Sequence, residues 1–275
     1  MSERKYFPIS YFYQILSPKA IFSTRKNFKF WQNLLIIIFL NALIMIPVTL
    51  YYANMKSYPI EHIIRGIFSP VTDKTYSVLT KGKIRDNEYY GDRNIIKDDK
   101  NIIAVLPTKE DIKELEKSKT KQIILKRREL VFVNKGGEKF KSGIRGKFKD
   151  LSDLKSKKAV KEFLNEQCFL SNKSSILMFL LITFLIMIYV GTFIFLGFGT
   201  LFLYLTKRSK IFSIKTFSEC FGLIVNCLGV PTLIAMVASC FIRNPVVVMN
   251  FQVFGALLMI TFVFYKTHFR DEIKE

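Results

Sequence analysis

Long apolar runs alternate with densely charged segments along this chain, and that alternation is the first limit on its architecture. The first run spans Trp31 to Tyr52. Its core reads Leu34-Leu35-Ile36-Ile37-Ile38-Phe39-Leu40, then Ala42-Leu43-Ile44-Met45-Ile46. No charge interrupts it, and Trp31 and Tyr51-Tyr52 stand at its ends as interfacial aromatics do. The second run, Ser175 to Leu205, is about 30 residues, or roughly 45 Å as a helix against a hydrocarbon layer of roughly 30 Å. Such a helix has to tilt, extend beyond the bilayer or break. Gly191, Gly197 and Gly199 are the expected break or close-packing points. The third run spans Phe217 to Phe241 and the fourth Val246 to Tyr265. Only Ile242-Arg243-Asn244-Pro245 joins them, which predicts an antiparallel hairpin. Pro245 suits the start of the fourth helix. Pro231 is expected to kink the third near Val230. A cleaved signal peptide is not expected, because a long basic segment precedes the first run and no A-x-A site follows it.

The pattern predicts an α-helical integral membrane protein with about four transmembrane helices and a small α+β extracytoplasmic domain between the first and second. The spans fall at 31–52, 175–205, 217–241 and 246–265. They separate an amphipathic basic N-terminal segment at 1–30, the outer domain at 53–174, a loop at 206–216 and a tail at 266–275. Basic residues orient the chain. Arg4, Lys5, Lys19, Arg25, Lys26 and Lys29 precede the first span, Lys207, Arg208, Lys210 and Lys215 lie between the second and third, and Lys266, Arg270 and Lys274 follow the fourth. The opposite short loop holds Arg243 alone. Both termini are therefore expected in the cytoplasm of a multi-pass plasma-membrane protein.

The N-terminal segment reads as a surface-lying element. Tyr6-Phe7, Ile9, Tyr11-Phe12-Tyr13 and Ile15-Leu16 are amphipathic, and Ser17-Pro18-Lys19 reads as an N-cap, a first-turn proline and a new helix. Lys19, Arg25, Lys26 and Lys29 would face anionic headgroups or a cytoplasmic partner. In the outer domain, Thr75 to Leu79, Asn101 to Leu106, Gln122 to Leu125 and Leu130 to Asn134 read as strands. Gly136-Gly137 marks a hairpin turn. Thr108 and Asp111 form a capping arrangement for a short helix to about Lys117. Asp150 or Ser152 is expected to cap another helix, with Leu154, Val160, Phe163 and Leu164 on one face.

Composition sharpens this picture. Half of the 275 residues are hydrophobic, and the net charge is +20. That basicity suits an anionic membrane surface, and no nucleic-acid signature accompanies it. Lys126-Arg127-Arg128 is a candidate contact for an anionic envelope polymer or for headgroups. Four cysteines form no C-x-x-C, so zinc and redox motifs are unsupported. Cys220 and Cys227 suit a buried setting. Cys168 and Cys240 both fall near the expected outer face, where a disulfide and two free thiols are both open. The two histidines, His62 and His268, are expected on opposite sides of the membrane and cannot share a site. No Walker loop or G-x-G-x-x-G occurs, and the acidic pairs Asp98-Asp99 and Glu110-Asp111 read as solvated charges. No catalytic residue, metal site or cofactor is assigned.

Inside the spans no charge is clearly buried. Glu219 comes closest and could pair with Lys215. The candidate intramembrane polar residues are Asn41, Asn226, Asn250 and Gln252. One reading is interhelical hydrogen bonding. The other is a solute path lined by Asn226, Asn250 and Gln252 beside Pro231. Proton-coupled transport is disfavoured without intramembrane Asp, Glu or His.

The N-terminal Leu16-Ser17-Pro18-Lys19, the basic cluster Arg25-Lys26 with Lys29, and the apolar span running into Ile46-Pro47 resemble a bacterial membrane family, domain-of-unknown-function family 1189. Proteins of that family carry maltodextrin-utilisation labels. Ile123-Ile124-Leu125 and Leu130-Val131-Phe132-Val133 resemble its outer domain. The resemblance implies the plasma membrane of a low-GC Gram-positive bacterium, no established catalytic residues and a link to maltodextrin uptake. The function expected is that of a non-enzymatic accessory or regulatory membrane protein, working through a membrane-protein partner, a homo-oligomer or an envelope polymer. The alternative is a small transporter or channel using the polar residues of the third and fourth spans.

Overall fold

The computed structural model describes residues 9–98, 101–206, 212–242 and 244–271. Arg4, Lys5, Tyr6, Phe7, Asp99, Lys207, Arg208, Lys210, Arg243 and Lys274, used in the reading above, lie outside the described residues. The chain divides into two compact units. One is helical and is built from Met1–Asn54 and Met178–Glu275; the other is α+β and comprises Met55–Leu177.

The helical unit contains two short helices, α1 (Ile9–Gln14) and α2 (Pro18–Ser23), and then α3 (Phe30–Ala53). Among the described residues four helices are long and apolar enough to cross a membrane: α3, α6 (Lys157–Leu205), α7 (Phe217–Ser239) and α8 (Pro245–Thr267). α7 is the central one. Of its most apolar window 72% is buried, against 33%, 28% and 22% for α3, α6 and α8. The outer faces of the other three are apolar, with Leu35 and Ile46 on α3, Phe198 and Phe202 on α6, and Phe254 and Leu258 on α8 all exposed.

Small residues set the helix approaches. A Cβ at Gly199 of α6 would lie 2.7 Å from Ile224 Cδ1 of α7, and one at Gly255 of α8 would lie 2.8 Å from Pro231 Cβ. Gly191 is in ordinary contact with Met249, while Gly197 faces open space. The break in α6 lies at none of these glycines. It comes at Asn172, whose φ of −114° and ψ of 18° leave the helical region. Its side-chain amide donates to the Cys168 carbonyl at 3.1 Å, one turn earlier in the helix. Pro231 sits inside a continuous α7. Asn244 caps α8 by accepting from Val246 N at 3.0 Å, as the Asn-Pro start predicts.

The α+β unit holds two sheets. β1 (Gly82–Arg85) pairs antiparallel with β2 (Glu88–Gly91) and β8 (Phe148–Asp150) in the order β2-β1-β8. The β1–β2 turn places Asp86 and Asn87 at φ of 49° and 63°, left-handed positions that short polar side chains tolerate. The second sheet runs β3 (Asn94–Asp98), β4 (Asn101–Val105), β5 (Lys121–Leu125), β6 (Glu129–Val133) and β7 (Lys139–Gly143) in sequence order. β4 and β5 are parallel, and the helix α5 (Lys109–Lys117) makes the crossover. Thr108 and Asp111 form the expected capping box on α5. Ile102, Ala104, Leu115, Ile124 and Val131 pack together on the α5 side of the sheet.

Thr75–Leu79 is not a strand. Tyr76–Leu79 forms a single helical turn, α4, because the buried Thr75 hydroxyl bonds to Pro70 O at 2.7 Å and accepts from Thr72 N at 2.8 Å, which closes a tight turn there. Asp150 caps only a three-residue 3-10 turn, Leu151–Asp153; Ser156, accepting from Ala159 N at 3.1 Å, caps α6 instead. Cys168 is buried and Cys240 exposed, and both are free thiols.

Candidate functional site

The described N-terminal helices are not laid flat with one face open. Tyr11, Ile15, Ile21 and Phe22 are all buried within the helical unit. Glycines of α7 admit them: a Cβ at Gly229 would come 2.6 Å from Ile15 Cδ1, and one at Gly222 would come 2.4 Å from the Arg25 carbonyl oxygen. Tyr11 donates its hydroxyl to Val225 O at 3.0 Å. Gly229 is the thirteenth residue of α7, so α1 docks roughly 18 Å along that helix from its start.

Where α2 ends, Arg25 turns inward. This corrects the expectation that it faces headgroups, because it is only 3% exposed. Its Nη1 donates to Phe22 O at 2.9 Å, which answers a carbonyl at the end of α2. Nη1 and Nη2 donate to the two carboxylate oxygens of Asp271 at 2.8 and 3.0 Å, a bidentate pair. Nε donates to Glu219 Oε2 at 3.4 Å, and the guanidinium lies 4.0 Å over the Phe22 ring. Glu219 is buried in the first turn of α7, where Thr216 Oγ1 accepts from Glu219 N at 3.2 Å and the helix dipole favours the carboxylate. Its ionic partners are Arg25 and Lys26, at 3.4 and 3.7 Å; from Lys215 it takes only the backbone N–H.

The tail reaches this node by a sharp reversal. His268 and Phe269 adopt φ of 46° and 53°, which ends α8 and folds the chain back. Phe269 then stacks on Phe22 at 5.9 Å between ring centroids, and its carbonyl accepts from Ser213 N at 2.8 Å. The Arg25 guanidinium holds the Asp271 carboxyl below the usual carboxylate range. One guanidinium thus joins the end of α2, the start of α7 and the tail after α8. Beside it lies a groove of about 440 Å³, walled by Lys19, Phe22, Lys266, His268, Arg270 and Asp271.

The polar residues of the long helices form separate pairs. Thr192 donates to Asn41 Oδ1 at 3.1 Å, between α6 and α3. Gln252 donates to Thr232 Oγ1 at 2.9 Å, between α8 and α7. Asn226 donates to Ile21 O at 3.4 Å, between α7 and α2. Asn250 faces outward. Asn226, Asn250 and Gln252 therefore do not line one path. Asn33 is buried, and neither of its amide atoms has a hydrogen-bond partner among the described residues; the sequence reading did not single it out.

A family model, "Protein of unknown function (DUF1189)", matches residues 10–265. The chain belongs to this family. It is also similar to the Maltodextrose utilization protein MalA of Streptococcus pneumoniae (strain ATCC BAA-255 / R6), with 31% identity over 268 residues that cover 96% of this chain and 97% of the relative. No solved structure matches.

In this DUF1189 member the remaining candidates are paired or exposed at the surface. Arg127 and Arg128 converge on the one carboxylate of Glu88, at 2.8 and 2.7 Å, and hold its pKa below the usual range. Lys126 pairs with Glu129. Lys19, Lys26 and Lys29 are exposed. Among the described residues no three His, Cys, Asp or Glu side chains gather as a metal site. The site residues that sequence reasoning missed are Asp271, which meets Arg25, and Phe269, which stacks on Phe22, each across more than two hundred residues. For the seating of the N-terminal segment on α7, though not for the tail, the sequence signal was the spacing of Gly222 and Gly229 on one face of that helix.

Proposed function

We propose that this DUF1189 chain is a multi-pass plasma-membrane protein with cytoplasmic termini, and that it serves maltodextrin utilisation as a non-enzymatic accessory or regulatory subunit. The observation that carries the reading is the end-to-end similarity to a relative named for maltodextrose utilisation. The apolar outer faces of α3, α6 and α8 support membrane insertion. The pairwise bonding of Asn41, Asn226 and Gln252 supports a packing role, and transport through one polar path is the weaker reading. The partner is a membrane protein of the uptake system, engaged with the lipid bilayer around both. Deleting the gene is expected to slow growth on maltodextrin and leave growth on glucose unchanged. The tagged protein, isolated in mild detergent from maltodextrin-grown cells, is expected to bring a stoichiometric membrane partner. Unchanged growth on maltodextrin together with isolation of the chain alone overturns the proposal.

A further inference from the structure

A cavity of about 240 Å³ lies wholly within the α+β unit, between residues 64–67 and strands β5 to β7. Its aromatic wall is a cross-strand pair, Phe132 of β6 and Phe140 of β7, in register and 6.1 Å apart between ring centroids. Both rings belong to the sheet face away from α5, because the adjacent Val131 packs towards that helix. Around the rings stand Arg65, Lys121, Asn134 and Glu138. Lys121 Nζ donates to Gly66 O at 3.2 Å and keeps two further N–H bonds to offer. Among the described residues no carboxylate pairs with Lys121 or Arg65, and no group engages the Glu138 carboxylate. The remaining cation of the wall, Lys139, is already answered by Glu116 at 2.7 Å.

The lining therefore holds unpaired groups of both signs. An anion in the cavity meets Glu138, and a cation meets Lys121 and Arg65. A neutral ligand that donates and accepts along its edge, and is apolar on its face, suits all of them. A pyranose ring has that form. Its C–H bonds make an apolar face for the aromatic wall, and each hydroxyl both donates and accepts. The cavity is smaller than the roughly 300–1,000 Å³ of sites for drug-sized ligands, so it takes one ring and not a chain of them.

We propose that this cavity binds one terminal glucosyl unit of a malto-oligosaccharide, with the ring face on Phe140 and the hydroxyls on Lys121, Asn134 and Glu138. The choice of glucose among hexoses rests on the maltodextrin reading of the proposed function. In the topology of that reading the α+β unit lies outside the cell, where the site meets the sugar before uptake.

The test uses the full-length protein in a detergent without a sugar headgroup, since a maltoside would compete. Maltotriose binding is read by saturation-transfer NMR. A Kd on the order of 1 mM is expected for so small a contacting group, with saturation strongest on one terminal ring. Glu138→Ala, at an exposed side chain, is expected to weaken binding about tenfold, and Phe140→Ala at least as much. Unaltered thermal unfolding midpoints separate lost binding from lost fold, and Glu138→Ala decides the matter if the half-buried Phe140 proves necessary for folding. Absence of maltotriose binding, binding that Glu138→Ala leaves unchanged, or displacement of maltotriose by equimolar inorganic phosphate overturns the site. Growth separates the two levels. Slowed growth of the deletion strain on maltodextrin with no sugar bound sinks only this site, whereas sugar bound with unchanged growth sinks only the role in utilisation.

Discussion

A guanidinium this deeply buried has to find partners for its donors, and Arg25 finds them in three chain segments. Removing it leaves Glu219 charged and buried without its main partner. Arg25→Met is therefore expected to destabilise the helical unit by about 3 kcal/mol, and adding Glu219→Gln to recover part of the loss. Thermal unfolding in detergent measures both. Asp271 is the pH-sensitive member. Its folded pKa is lowered, first by the hydrogen bonds from Arg25, so its contribution is complete above the ordinary carboxylate pKa of about 4 and is lost as pH falls through the lowered value. The unfolding midpoint is expected to drop in that acid window in the native protein, and Asp271→Asn to flatten the drop. None of this partnership was legible in the sequence. Arg25 and Asp271 each look like ordinary flanking charges, and only the fold brings residues 246 positions apart into contact.

At the level of elements, close approach is set by glycine rather than by side-chain interlocking. A Cβ at Gly222 meets backbone, the Arg25 carbonyl, which has little freedom to retreat. A Cβ at Gly229 meets Ile15 Cδ1 and the Tyr11 hydroxyl, the movable ends of side chains, and one at Gly197 meets nothing within 4 Å. Alanine substitution is thus expected to cost about 2–3 kcal/mol at Gly222, less at Gly229 and almost nothing at Gly197, graded by thermal unfolding in detergent. The long helices and α5 were readable in advance, because an unbroken apolar run and a capping box are local signals. β1, β2, β3 and β8 were not, and β7 was readable only through the hairpin turn at Gly136-Gly137 that joins it to β6. Lys83, Arg85, Glu88, Lys139 and Lys141 lie within them, and such strands, half exposed, carry little apolar alternation. The Thr75–Leu79 error has the same root, since a short apolar run does not distinguish a strand from a helical turn.

For the whole molecule, the division into a helical and an α+β unit matches the charge segregation of the sequence. The α+β unit comprises Met55–Leu177, and the helical unit takes the chain on either side of it. Two cysteines test the proposed topology. Cys240 is exposed just after α7 and Cys168 is buried. A membrane-impermeant maleimide applied to intact cells is expected to label Cys240 and to leave Cys168 unlabelled until the protein is unfolded. Labelling of Cys240 only after lysis inverts the orientation.

The closure of the tail onto Arg25 also has a place in time. During synthesis, Arg25 emerges long before Asp271 exists, and it must wait until α3, the whole α+β unit and α6 to α8 have been made. Until then Arg25 has Glu219 as its ionic counterpart, so its set of partners is completed only once Asp271 has been made. The bidentate pair works as a latch that closes only after α8 has been made. A nascent chain stalled before Asp271 presents an N-terminal segment without that pair.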